Sequence, residues 1–348
     1  MPEPGFSIVI PTRNGERYIA ETLRSALDQT YDRFTILVLE SGSEDQTREI
    51  VRSFDSDRIK LLSVPEALGI EENWARILGL ELDEYMTILG HDDILYPSFL
   101  QTIVDLIGKY PDASLYQTHF NLIDSASDIL RPCKPIPLIQ SADEFLLQRH
   151  HFALDSFATG YAMRSADYKA IGGLPAYMPK LIGSDDLAWY MLAILSYKVC
   201  SPQVCFGYRY HPTSTSYSID MHTVYRAYRM YSLSLENTPY FNKADHRVAA
   251  DRYFQKSLNG RHHRLLVDLI RDGTPELWHR YEQDKRELLR EAAEHPAFSV
   301  YDPLAKLLEQ VARLPKPLPK GVIQVVEWVG AVTWSLRKGR ALRDIMRR

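Results

Sequence analysis

Five short apolar runs punctuate the first third of the chain, each separated from the next by a stretch of helical spacing. The runs are FSIVIP (6–11), FTILVLE (34–40), RIKLLSV (58–64), YMTIL (85–89) and ASLYQ (113–117). They are continuous rather than alternating, which is the signature of strands buried on both faces. Between the first two, Tyr18, Ile19, Thr22, Leu23, Ala26 and Leu27 recur at the 3.6-residue period of a helix. SEDQTREIVRSF (43–54) reads as a second helix with Ser43 at its N-cap and acids in its first turn. EENWARILGLEL (71–82) follows, with Trp74, Ile77 and Leu78 on one face directed at the core. PSFLQTIVDLIGKY opens with Pro97 at a helix N-terminus. Strand–helix alternation of this kind predicts a mostly parallel sheet covered by helices on both faces.

In such sheets ligands sit beyond the carboxyl ends of the strands. Arg13-Asn14, Glu40-Ser41 and Asp92-Asp93 each follow a predicted strand, so three polar clusters are expected at one edge. The pattern loosens from about Ser125 to Tyr217, where Pro-rich RPCKPIPLI and many aromatics occur. From Ile219 to Val311 it becomes helical and heavily charged, as in HRYEQDKRELLREAAEH. LPKPLPKG (314–321) reads as a stiff linker before a last helix. The expected organisation is therefore an α/β domain over 1–218, a helical region over 219–311 and a basic amphipathic helix over 312–348.

Composition narrows the picture. A formal net charge of −4 over 348 residues gives no electrostatic case for nucleic acid. Three cysteines, Cys133, Cys200 and Cys205, are too few for a disulfide framework and point to a reducing compartment. The Cys200–Cys205 spacing lacks the matching Cys or His pair that a metal clip needs. A strand begins almost at the N-terminus and no run approaches the ~20 apolar residues of a spanning helix. These features predict a cytoplasmic protein. The tail adds a second expectation: Val322, Val325, Val326, Val329, Val332 and Leu336 form a helical stripe, flanked by Trp328 and Trp334 and followed by RKGRALRDIMRR. Such a helix would lie in the plane of an anionic membrane, on the cytoplasmic face of the inner membrane. The alternative is a helix that packs on the helical region or pairs two subunits in a homodimer.

Adjacent carboxylates such as Asp92 and Asp93 repel one another unless a cation or hydrogen-bond donors hold them. The chain carries several further motifs in order: SIVIPTRNGERYIAETLRSALDQTY, ILVLESGSEDQT, LGHDDILYP, TGYAMRSADYKAIGGLP, IGSDDLAWYML and YRYHPTSTS. This ordered set resembles glycosyltransferase family 2, whose members have the GT-A fold, and it extends from Ser7 to Ser216. The resemblance implies a Rossmann-like sheet and inverting transfer of a sugar from a nucleotide-diphospho-sugar, UDP or dTDP, to a hydroxyl. The implied acceptor is a growing cell-surface glycan or a lipid-linked saccharide. The implied cofactor is a divalent metal, Mn²⁺ or Mg²⁺, which prefers carboxylate oxygens.

By that resemblance Asp93 is the metal ligand and Asp92 lies nearer the ribose, while His91 stands where many relatives carry another acid. Pro11, Thr12, Arg13 and Asn14 form the first nucleotide-binding loop. Glu40 and Ser41 occupy the places of two acids that read the base, and Asn73 is placed near the diphosphate or sugar. Counting back from Trp189 puts the catalytic base at Asp185, with Asp186 in reserve. Arg209 and His211 lead into a Ser/Thr-rich loop that closes over the diphosphate, with His211 ligating metal or donating to phosphate. Thr159 to Ser165, including Gly160, would floor the acceptor side. Two other readings remain. A nucleotidyltransferase shares the sheet but would need a more glycine-rich and basic first loop. A non-catalytic sugar-nucleotide or polysaccharide-binding relative is suggested by Ser41, His91 and Ser184.

Overall fold

The computed structural model describes residues 3–210, 220–272, 274–294, 303–313 and 324. The chain divides into two compact units, one of residues 1–149 and 154–217, the other of 150–153 and 218–348.

The first unit is built on a single sheet with ten strands among the described residues. They are β1 (Phe6–Thr12), β2 (Phe34–Glu40), β3 (Ile59–Leu61), β4 (Tyr85–Ile88), β5 (Ile94–Leu95), β6 (Leu115–Ile123), β7 (Ile129–Pro132), β8 (Ile139–Gln140), β9 (Tyr161–Arg164) and β10 (Lys198–Arg209). The main path runs β3-β2-β1-β4-β9-β6-β10-β5, with β7 on β6 and β8 on β10. β3, β2, β1 and β4 are mutually parallel, and β10 is parallel to β6. β9 enters antiparallel between β4 and β6, and β5, β7 and β8 are also antiparallel. The four N-terminal runs thus became the parallel half, and the later strands turned it into a mixed sheet. All seven residues of β1 are buried, because helices cover both of its faces.

The helices of this unit are α1 (Ile19–Leu27), α2 (Thr47–Arg52), α3 (Ile70–Ala75), α4 (Phe99–Lys109), α5 (Ala142–His150), α6 (Ser165–Ala170) and α7 (Ser184–Leu195). The apolar stripes of α1 and α4 enter one core with β1, β2, β6 and β10, including Ile19, Leu23, Phe99, Ile103, Phe120 and Phe206. Three local expectations fail. Ser43 does not cap α2, which begins four residues later; its hydroxyl instead accepts from the Asn14 N–H at 3.0 Å. Trp74 is only half-buried and Leu78 is exposed, because α3 gives way to a 3-10 turn over Arg76–Gly79 and the helical face is lost; Ile77 alone is fully buried. β10, the longest strand at 12 residues, carried no clear periodic signal, since Ser201-Pro202-Gln203 interrupts it and shifts its register against β6. Its two cysteines, Cys200 and Cys205, are buried in the core and free.

In the second unit the described helices are α8 (Met221–Glu236), α9 (Ala244–Asp272), α10 (Pro275–Glu294) and α11 (Pro303–Ala312). Asp220 caps α8 by accepting from the Thr223 N–H at 2.7 Å. Asp284, from α10, accepts from the N–H groups of Met221 and His222 at 2.8 and 2.9 Å. Two carboxylates therefore meet the exposed amides of one helix start. Leu266, Leu269, Ile270, Tyr281 and Leu308 form a small core. The segment 150–153 joins this unit through His150, whose ring is surrounded by Tyr231, Tyr240, Tyr253 and Phe254. No described helix is long and apolar enough to cross a membrane. The expected amphipathic helix over 312–348 lies outside the described residues, save for Ala312, Arg313 and Gln324.

Candidate active site

The carboxyl ends of β1 and β2 are tied together by paired loops. The Asn14 side-chain oxygen accepts from the Glu44 N–H at 2.9 Å, and the Gly15 N–H donates to Thr47 Oγ1 at 2.8 Å. The Glu16 N–H donates to Asp45, and Glu16 in turn accepts from the Gln46 N–H, both at 3.0 Å. Asn14 holds a left-handed φ of 50°, which asparagine tolerates, so that its side chain can make this link. Arg13 is exposed, with Glu44 3.9 Å away. Glu40 is fully buried; its Oε1 accepts from the Ser43 N–H at 2.6 Å, and its Oε2 lies 3.5 Å from Arg48 Nε. Thr12 Oγ1, Glu40 Oε2 and Ser41 Oγ are buried without a hydrogen-bond partner. Buried polar atoms are nearly always satisfied in a complete site.

Asn73 is tied into the ends of the strands. It is buried, its amide donates to the carbonyls of Leu39 and Thr12 at 3.0 and 3.4 Å, and its oxygen accepts from Arg76 at 2.8 Å. Arg76 continues to the carbonyls of Glu40 and Leu62. The pair ties off the strand ends because backbone carbonyls there have left the sheet and need donors.

After β4 the chain turns at Gly90. A Cβ there would lie 2.6 Å from one Asp93 oxygen and 3.0 Å from one of Asp92, so only glycine leaves room for both carboxylates. Asp93 is 2 % exposed. One of its oxygens accepts from the Thr159 hydroxyl at 2.5 Å and the other from the Arg209 N–H at 2.7 Å. Burial and the charge of Asp92 push its carboxyl well above the usual range. Each oxygen thus accepts one hydrogen bond inside the protein, and a carboxylate keeps further lone pairs with which to meet a cation. Asp92 is half-buried and remains at the surface of the same turn.

Arg209 is bound into the same turn. It is 2 % exposed, and its guanidinium donates to the Asp92 carbonyl (2.6 Å), the Asp124 carbonyl and Ser127 hydroxyl (2.9 Å each) and Glu21 (2.7 Å). It also sits 4.5 Å above the Tyr18 ring. With its fork shared among these protein groups, Arg209 holds the acidic turn in place. His211 lies outside the described residues.

The second acid pair opens α7. Gly183 takes a left-handed φ of 79° to start the helix, so the carboxylates of Asp185 and Asp186 meet its amide-rich end. Asp186 is buried, and Arg149 Nε donates to each of its oxygens at 2.9 Å. Asp185 is half-buried, and burial together with the neighbouring Asp186 charge raises its pKa to about 7. Of the pair, Asp185 carries the raised pKa and Asp186 the ion pair with Arg149.

Residues 156–161 bind the two acid pairs into one site. Trp189 of α7 donates to the Phe157 carbonyl at 3.1 Å, and Thr159 reaches Asp93. Between them the Phe157 ring stacks on Tyr208 with centroids 3.6 Å apart. The Tyr208 phenol is held far above its ordinary pKa by burial and by the charges of Asp93, Asp92 and Asp185. Gly160 holds a φ of 88° and its Cα lies over the Phe206 ring, which a Cβ would penetrate at 2.1 Å. Sequence reading placed Thr159 and Gly160 on an acceptor floor and missed that Thr159 anchors Asp93. Tyr208 and Phe157 went unread, because the aromatic-rich stretch offered no period to separate a site ring from a core ring.

No cluster of three or more His, Cys, Asp or Glu side chains suited to a metal occurs among the described residues. The donors present fit a cation shared with a substrate. Mg²⁺ and similar ions are commonly held by one or two carboxylates with phosphates completing the shell, and Asp92 offers hard oxygen ligands at the edge of the turn.

The architecture, a sheet parallel through β3-β2-β1-β4 with acids beyond its carboxyl edge and a helical region after it, is that of the GT-A class. S. aureus TarS 1–349 in complex with UDP-GlcNAc shares it with a TM-score of 0.55 at 17 % identity, over 97 % of this chain and 93 % of that one. The mannosyltransferase PcManGT from Pyrobaculum calidifontis, in complex with GDP-Man and Mn²⁺, shares it with a TM-score of 0.53 at 15 % identity, over 95 % and 86 %. Residues 7–163 match the family model for glycosyl transferase family 2, so that segment is similar to this family. An uncharacterized glycosyltransferase of Rickettsia conorii is 34 % identical over 133 residues, 37 % of this chain and 22 % of that protein. The glycosyltransferase GlyG of Streptococcus pneumoniae is 26 % identical over 124 residues, 34 % of this chain and 40 % of that protein. The chain spans from about a fifth to two fifths of the Rickettsia relatives it matches, 22 % and 41 % in two of them.

Proposed function

We propose that the protein is an inverting glycosyltransferase that moves a sugar from a nucleotide-diphospho-sugar to a hydroxyl acceptor. The observation that carries the reading is that one short segment links the two acid pairs: Thr159 donates to Asp93, and the Phe157 carbonyl accepts from Trp189 of the helix that opens with Asp185 and Asp186. A metal-side acid and a proton-accepting acid held by one segment suit displacement at a sugar carbon. In the proposed step the acceptor O–H gives its proton to the Asp185 carboxylate as its oxygen bonds to the anomeric carbon. The bond from that carbon to the diphosphate oxygen breaks, and the nucleoside diphosphate leaves. Mn²⁺ or Mg²⁺, held by Asp92, supplies positive charge against the leaving group when bound. The Thr12 and Ser41 hydroxyls, buried without a hydrogen-bond partner, favour the β1–β2 corner as the nucleotide end. The reading extends to UDP or dTDP donors and to a glycan or lipid-linked acceptor of the cell envelope. A non-catalytic binding relative is disfavoured by Asp185, whose elevated pKa serves proton transfer and costs folding stability.

The test pairs two substitutions. Asp92→Ala should abolish Mn²⁺-dependent binding of a sugar nucleotide, read by calorimetry against UDP-GlcNAc, a dTDP-sugar and GDP-Man. Asp185→Asn should keep that binding and slow turnover by about 10²–10⁴-fold, the usual worth of a general base. Unchanged turnover in Asp185→Asn with loss in Asp186→Asn would move the base by one residue.

A further inference from the structure

Arg149 is one residue from the end of α5, and no motif singled it out. Its Nε donates to both oxygens of Asp186 at 2.9 Å, and Asp186 is 1 % exposed. α5 and α7 are joined again where the Tyr190 hydroxyl donates to Asp143 at 3.4 Å. A buried carboxylate without a partner costs several kcal/mol, so the Arg149 guanidinium is the partner that holds Asp186 in the first turn of α7.

We propose that Arg149 is a positioning residue for the transfer reaction: by clamping Asp186 it fixes the first turn of α7 and with it the orientation and charge state of Asp185. The proposal rests on the reading of Asp185 as the base. The charged and titratable groups around Asp185 are Asp186, Arg149, Tyr161 and Tyr208, and Lys134 acts on Arg149. Of these, Arg149 is the group whose positive charge favours the ionised form of Asp185. Loss of that charge raises the pH at which the base becomes available.

The experiment uses the full chain with Mn²⁺ and whichever of UDP-GlcNAc, a dTDP-sugar or GDP-Man gives the largest thermal shift. Turnover is followed as nucleotide released by slow hydrolysis, in which water replaces the acceptor. In Arg149→Gln, kcat at pH 7 should fall about 10-fold or more, with donor KM nearly unchanged. The rising limb of kcat against pH should move up by about one unit, so that activity returns at higher pH. Arg149→Lys, which keeps the charge but not the fork, should leave the limb near its original position and still lower kcat. A loss in Arg149→Gln that is uniform in pH, or variants indistinguishable from the wild type, would overturn the proposal. Asp185→Asn separates the two claims. If it retains activity and the limb, the base reading fails. If it is inactive while Arg149→Gln leaves the limb in place, only the role of Arg149 fails.

Discussion

At the scale of single residues, the site is a set of carboxylates with different duties. Asp93 and Asp186 are buried and accept hydrogen bonds from protein donors, and each stands beside a half-buried neighbour, Asp92 or Asp185. The elevated pKa of Asp185 has a thermodynamic cost that can be measured. Its folded value of about 7 lies above its ordinary 3.8, so the folded state binds the proton more tightly than the unfolded chain. Stability from this group is complete below the lower value and is lost as pH rises through the upper one. Asp185→Asn should therefore melt with the wild type near pH 4 and be more stable at pH 8, by about 2 kcal/mol. Differential scanning fluorimetry across that range checks it, and a variant less stable at pH 8 would contradict it. Arg209 makes a second case. Arg209→Lys keeps the charge but cannot reach the Asp92 carbonyl, Asp124, Ser127 and Glu21 together. Supporting groups around a metal-binding carboxylate are commonly worth about 10–100-fold in affinity. Mn²⁺-dependent donor binding should fall by that order in calorimetry, while metal-free nucleotide binding should change little.

At the scale of elements, the segment through Phe157, Thr159 and Gly160 decides whether the two acid pairs face one another. Gly160 is the tightest point, since a Cβ there meets the Phe206 ring and the backbone is left-handed. Gly160→Ala should destabilise the protein by about 2–4 kcal/mol in urea unfolding, from overpacking plus backbone strain. Because Thr159 is the next residue, Mn²⁺-dependent donor binding should weaken as well. Full binding with unchanged stability would show that the loop relaxes freely. Within the second unit, the two carboxylates at the start of α8 and the enclosed His150 show how a heavily charged sequence still builds fixed contacts.

At the scale of the whole molecule, the tail supplies a separate prediction. Its apolar stripe and the basic run that follows are suited to an anionic interface, where each Lys or Arg contributes about 1 kcal/mol. The full chain should float with anionic vesicles at low salt, and a chain ending at residue 313 should not. If the full chain stays off the vesicles, the stripe serves a protein surface instead.

What the sequence by itself determined were features that local chemistry specifies. Continuous apolar runs predicted the parallel core from β1 to β4, and the motifs located the polar corners and both acid pairs. It also favoured Asp185 over Asp186 by register. Tertiary structure decided which member of each pair is exposed, because burial depends on distant donors: Thr159 and the Arg209 N–H for Asp93, and Arg149 for Asp186. It revealed the internal ties of Arg209 and Asn73, which a sequence does not show because a polar side chain reads the same whether or not it meets a strand end. It also inserted β9 between β4 and β6 and built β10 across an interrupted stretch. Pairing between strands so far apart in sequence is set by the neighbours they meet, and those neighbours exist only once the sheet has formed.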